Sequence, residues 1–128
     1  MSLLIKKVLQ GIKNLNENKA DKVNITTGVE FKTGRIIDGK EECGKRINCG
    51  YLPDNGHKEI VHDLTNITLI KYEAFGKSPS GGLFNFPFIN LSTQRQAICQ
   101  VSVQAILLDT NYDLSGYVGY VDLYYIKN

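Results

Sequence analysis

The chain has 128 residues, a net charge of +2, 22% charged residues and no tryptophan. That length suits one domain with an appendage and is too short for two full domains. The lysines are scattered rather than set beside aromatic residues, so neither a nucleic-acid groove nor attraction to a membrane surface finds support in the composition.

The first fifteen residues read as a helix. Ile5, Val8, Ile12 and Leu15 recur at spacings of three, four and three, which draws one narrow apolar seam along about four turns and leaves Lys6, Lys7, Lys13 and Asn14 outside. A helix that short is marginal alone in water, and this spacing is that of a coiled coil. Residues 1–22 are therefore expected to form an oligomerisation and docking helix. Isoleucines at one seam position are compatible with three strands, and Lys19 and Lys22 could extend the coil by a turn with their stems. The apolar core before the first two lysines is only three residues, Leu3, Leu4 and Ile5, short of the ~7–15 apolar residues of a leader and the ~20 of a spanning helix. No membrane insertion and folding in a cytoplasm are expected.

From Val23 the pattern changes to short β-rich pieces between turn residues, and residues 23–128 are expected to form a head. Strands are expected at Val29–Phe31, Arg35–Ile37 and Cys43–Cys49, with Asp38-Gly39 as a hairpin turn needing positive φ. Another is expected at Lys58–His62. The longest candidate is Ile67–Phe75, placed centrally, with Ile70, Tyr72 and Ala74 on one face and Leu69, Lys71, Glu73 and Phe75 on the other. Gly76–Gly82 reads as an exposed, mobile loop. Leu83–Phe88 is aromatic, and Pro87 confines it to an edge. Ile98–Val103, Ala105–Leu108 and Tyr117–Ile126 complete the set, with Asp109–Gly116 as a loop and Tyr117, Gly119, Val121, Leu123 and Tyr125 facing the core. About eight strands with regular turns and no long helical period predict a mainly β chain, an antiparallel β-sandwich.

Few residues suggest chemistry. His57 and His62 are five apart, so a strand sends them to opposite faces and a shared metal is not expected. Cys43, Cys49 and Cys99 lack paired spacing and read as buried free thiols rather than zinc ligands or disulfides. Ser115 lacks the Gly-x-Ser-x-Gly elbow. Asp109 with Asp113, or Glu41 with Glu42, could in principle form a carboxylate pair, and the first pair a calcium site, yet nothing suggests the desolvation that raises a carboxyl pKa. Three Asn-x-Ser/Thr triplets, beginning at Asn24, Asn66 and Asn90, read as polar strand ends. No catalytic residue, cofactor or metal is expected.

What remains is contact surface. Lys77 with the Gly/Ser/Pro loop, Phe84 and Phe86, and Tyr112 in the Asp109–Tyr117 loop are expected near one end. Tyr120 and Tyr124 are expected on the outer face, as stacking platforms for sugar rings or as contacts between copies.

Two stretches carry a resemblance. Ile37-Asp38-Gly39-Lys40 through Ile47, followed by Gly50-Tyr51-Leu52-Pro53-Asp54-Asn55 and Glu59-Ile60-Val61-His62, resembles phage and prophage tail-fibre and virion-appendage proteins. The closing run Asp113-Leu114-Ser115-Gly116-Tyr117 to Tyr125-Ile126-Lys127 is similar to their last strand. The likeness spans about residues 27–127, with Cys43 standing where a tyrosine is common. It implies a β-sandwich head, commonly trimeric, that decorates a virion or contacts a host surface, and it brings no active site. The expectation is a non-enzymatic phage structural protein, assembled in the host cytoplasm and resident in the virion. Its partners would be other virion proteins at the N-terminal helix and a host-surface glycan at the head. The alternatives are a carbohydrate-binding module of a cellular or prophage protein and a small glycan esterase or hydrolase.

Overall fold

In the computed structural model residues 23–128 are described, and their regular structure is entirely strand. The seam residues Ile5, Val8, Ile12 and Leu15, with the whole expected helix, lie outside the described residues. Nine strands follow: β1 Phe31–Ile37, β2 Lys40–Tyr51, β3 His57–Val61, β4 Ile67–Lys77, β5 Leu83–Asn85, β6 Phe88–Asn90, β7 Arg95–Val101, β8 Ala105–Thr110 and β9 Val118–Lys127. They pair antiparallel throughout, as one sheet in the order β1-β2-β9-β4-β5 and another in the order β3-β8-β7-β6.

One buried cluster draws on both sheets: Cys43, Cys49, Ala74, Val121, Leu123 and Tyr125 from the first, and Ala97, Cys99, Ile106 and Leu108 from the second. Alternation along β9 places Val121, Leu123 and Tyr125 in this core as the sequence predicts. A hydrogen bond also crosses between the sheets, from the Tyr72 hydroxyl on β4 to the Cys99 carbonyl on β7 at 2.8 Å. The connections after β2, β4, β6 and β8 gather at one end, tied together by bonds such as Leu52 N to Tyr117 O at 2.9 Å and Asn111 N to Gln96 O at 3.2 Å. We call this the loop end.

Several expectations are corrected. The two first strand pieces merge into β1 across an irregularity between Lys32 and Ile36, where Gly34 has φ of 86°. A bulge at Ile70 shifts the register between Leu69 and Lys71, so Leu69 packs on the core while Tyr72 and Ala74 also point inward beyond it. Strict alternation from Ile67 to Phe75 therefore fails at one residue. The centre of the larger sheet is β9, with β4 beside it. Leu83–Phe88 is two strands: Pro87 lies between β5, an edge of one sheet, and β6, an edge of the other. Gly76 and Lys77 stay in β4, and the rest of the expected mobile loop closes on itself, with Ser78 N to Gly82 O at 2.8 Å and Gly82 N to Ser78 Oγ at 2.8 Å. The Asp38-Gly39 hairpin forms as predicted, with φ of 50° and 77°.

On the outer face of the larger sheet, Arg46 on β2 grips the buried Asp122 on β9 through two bonds, Nε to Oδ1 at 2.7 Å and Nη2 to Oδ2 at 2.8 Å. The guanidinium lies 5.1 Å from the centre of the Phe75 ring, which stacks on Tyr120 at 5.3 Å.

All three cysteines are free and buried. Burial pushes the Cys99 thiol up to about 12, helped by the neighbouring Cys49, and pushes Cys49 up to about 11. Both thiols therefore stay protonated and poorly nucleophilic at neutral pH. Iodoacetamide at pH 8 is expected to label neither until urea unfolds the chain, as read by intact-mass spectrometry; rapid labelling of the folded protein at Cys99 contradicts this packing.

Candidate functional site: an aromatic cleft at the loop end

The aromatic residues of β5 and β6 meet those of the β8–β9 loop. Phe84 on β5 lies opposite Gly76 on β4, where a Cβ would come within 2.4 Å of its ring. The missing side chain lets the ring lie flat on the strand. Phe84 then meets Tyr117 edge-on at 5.2 Å, Phe86 at 5.3 Å and Phe88 at 5.9 Å. Phe88 in turn approaches Tyr112 at 6.3 Å, and the Arg95 guanidinium lies over the Tyr112 ring at 5.2 Å. The Phe84–Tyr117 and Phe84–Phe88 contacts are edge-to-face, the arrangement that suits the ring quadrupoles.

Between these rings is an open cleft of about 430 Å³, lined by Phe84, Phe88, Tyr112 and Tyr117 together with Asn90, Thr93, Arg95 and Asp113. Its polar groups are held in place. Asn90 Oδ1 accepts from Ser92 N and Thr93 N at 3.1 and 3.2 Å. Asn111 ties the β6–β7 turn to the β8–β9 loop, giving its amide to Gln94 O and accepting from Gln96 N, both at 2.7 Å. Asp113 Oδ1 accepts from Ser115 Oγ at 2.6 Å and from Ser115 N at 2.8 Å. Those two bonds hold the Asp113 carboxyl below its ordinary range, so it is a carboxylate at neutral pH. Buried Leu114, whose N–H reaches Pro53 O at 3.2 Å, anchors the loop from below.

Aromatic faces flanked by a carboxylate, a guanidinium and an amide make a surface that can stack on the apolar face of a sugar ring while bonding its hydroxyls. Arg95 and Asp113 balance, so the cleft carries no net charge.

The six expected contact residues fall in four places. Phe84 and Tyr112 line the cleft. Phe86 touches Phe84 but opens onto a separate depression beside Tyr72, Glu73 and Asn85. Lys77 and Tyr120 line a hollow on the outer side of the same end. Tyr124 lies farther down the outer face, between Phe31 at 6.3 Å and the Lys71 ammonium at 4.9 Å, outside all three. Sequence reading missed Phe88 and Arg95; it put Tyr117 both in the Asp109–Tyr117 contact loop and on the core face of the last strand, and Tyr117 does pack against the core while lining the cleft. The two-residue spacing of Phe84, Phe86 and Phe88 was the available signal.

The chemical alternatives separate in space. Asp109 pairs with His57 across β3 and β8 at 2.7 Å, whereas Asp113 is engaged by Ser115. Glu41 is exposed and Glu42 is buried on the opposite face, accepting from Thr33 Oγ1 at 2.8 Å, so neither acid pair shares a site. His57 is half exposed; His62 is buried, with Nε2 at 3.0 Å from Ser102 O and Nδ1 accepting from Leu64 N at 3.1 Å. Among the described residues no three His, Cys, Asp or Glu side chains gather as metal ligands would. Comparison with protein-family models, with curated proteins and with solved structures finds no match for this chain.

Proposed function

We propose that this chain is a non-enzymatic structural protein of a bacteriophage, a trimeric fibre or appendage with a β-sandwich head that holds a host-surface glycan in the aromatic cleft. In this reading residues 1–22 form a coiled coil and dock to other virion proteins. The cleft carries the proposal: four aromatic side chains and an Arg95–Asp113 pair of opposite sign converge at one end of the head. The coiled-coil spacing at the N-terminus and the resemblance to tail-fibre proteins support it. In favour of binding over turnover, Ser115 is bonded to Asp113 and both histidines are bonded elsewhere.

The test is retention on a glycan array and on whole bacterial cells. Phe84→Ala with Tyr112→Ala removes two stacking surfaces worth ~1.4 kcal/mol together, so retention should fall about tenfold while circular dichroism stays unchanged. Unchanged retention by a folded double variant eliminates the cleft as the site.

A second reading, a carbohydrate-binding module of a cellular or prophage protein, is favoured by one observation: residues 84–117 of one chain supply the four rings, the guanidinium and the carboxylate of the cleft. Such a module would bind equally well as a monomer.

A further inference from the structure

The loop end carries a second depression. Tyr51, Lys77, Ser78, Gly116 and Tyr120 line this hollow of about 240 Å³. Gly116 and Val118 belong to it, whereas Tyr117 belongs to the aromatic cleft, so the strand of backbone between them is a ridge shared by both. The two differ in charge. The cleft is neutral overall, and the one charged side chain lining the hollow is Lys77.

Lys77 makes no ion pair among the described residues. Of the other cations near this end, Arg46 shares a smaller depression with Lys77 and Tyr120 but is already neutralised by Asp122, and Lys58 gives its ammonium to Tyr51 O at 2.9 Å. Tyr51 is 66% exposed and lines the hollow together with Ser78 and Tyr120, so hydroxyl-bearing side chains line it along with Lys77.

Resting on the glycan reading above, we infer that cleft and hollow form one extended site for a saccharide bearing an oxyanion: a neutral ring stacks in the cleft, and a phosphate or carboxylate across the Tyr117 ridge meets Lys77. Lysine is a point charge with no bidentate preference, so phosphate and carboxylate share this chemistry.

An array of neutral glycans, each printed beside its phosphate-bearing and carboxylate-bearing counterparts, tests this with the full chain. The anionic counterparts should be retained about threefold better than their neutral parents at low salt, the size expected of one exposed charge pair. The ratio should fall to about one in Lys77→Ala and in high salt. Preference for either anion supports the inference and identifies the group. If neutral glycans are retained with no anionic preference, or if Lys77→Ala leaves the ratio unchanged, the inference is wrong and the glycan reading stands. If inorganic phosphate competes as well as an anionic glycan does, the hollow is an isolated anion site and the extended-site inference is wrong. Retention of no glycan at all removes both.

Discussion

Arg46→Met is expected to lower the stability of the head by about 3 kcal/mol, measured as the urea midpoint by circular dichroism. The Asp122 side chain is 5% exposed and both its oxygens are held by the guanidinium. Removing that partner strands a carboxylate against the central strand of the larger sheet, and breaking a buried pair from one side costs ~3–5 kcal/mol. The lower end applies because the pair is covered from one side only, with Arg46 at 29% exposure. For the same reason Asp122→Leu should cost less than Arg46→Met, since the freed guanidinium can turn to water while keeping its place near Phe75. The double variant Arg46→Met, Asp122→Leu should return to within about 1 kcal/mol of the parent, because apolar pairs often replace buried ion pairs without loss. An Arg46→Met chain as stable as the parent contradicts this account.

Strand order and bulges mark where the sequence was legible and where it was not. The Asp38-Gly39 hairpin and the inward face of β9 follow from local rules: positive φ at two turn residues, and a period of two that runs unbroken through Val121, Leu123 and Tyr125. The bulge at Ile70 has no local signature, because Leu69 and Ile70 are both apolar and either could face in. Only pairing with Tyr125 on one side of the bulge and Tyr124 on the other settles it. Likewise Pro87 correctly demoted its segment to an edge, but that β5 and β6 edge different sheets depends on tertiary pairing with β4 and β7.

The site was half legible for a related reason. Aromatic density in Phe84–Phe88 and turn residues in Asp109–Tyr117 pointed to one end of the molecule, and the structure does bring Phe84 and Tyr112 to one cleft. Arg95 could not be found this way. It lies in β7, beyond a turn that looked polar and unremarkable, and it reaches Tyr112 only because Asn111 bonds that turn to the β8–β9 loop. Tyr117 faces the core side as alternation requires, yet at the last position before β9 the core side opens into the cleft.

Val8→Asp with Ile12→Asp in the full-length chain is expected to convert a trimer to a monomer in size-exclusion chromatography with light scattering. Each chain would bring two carboxylates into an apolar seam, and burying an unpaired charge costs several kcal/mol. Because residues 84–117 of one chain supply the rings and the charged groups of the cleft, affinity for a soluble glycan should change less than about twofold. Retention on a cell surface should nevertheless fall by ~10²–10⁴, the gain expected when three weak sites are linked with matching spacing. The described chain bears on that spacing. Gly28 N bonds Arg46 O at 2.8 Å and Thr27 lies by Lys77, so β1 is entered from the loop-end side, and a stalk would join the head beside the cleft rather than opposite it. A parent chain that runs as a monomer, or a seam variant that still adsorbs to cells like the parent, removes the trimeric fibre and favours the single-chain module.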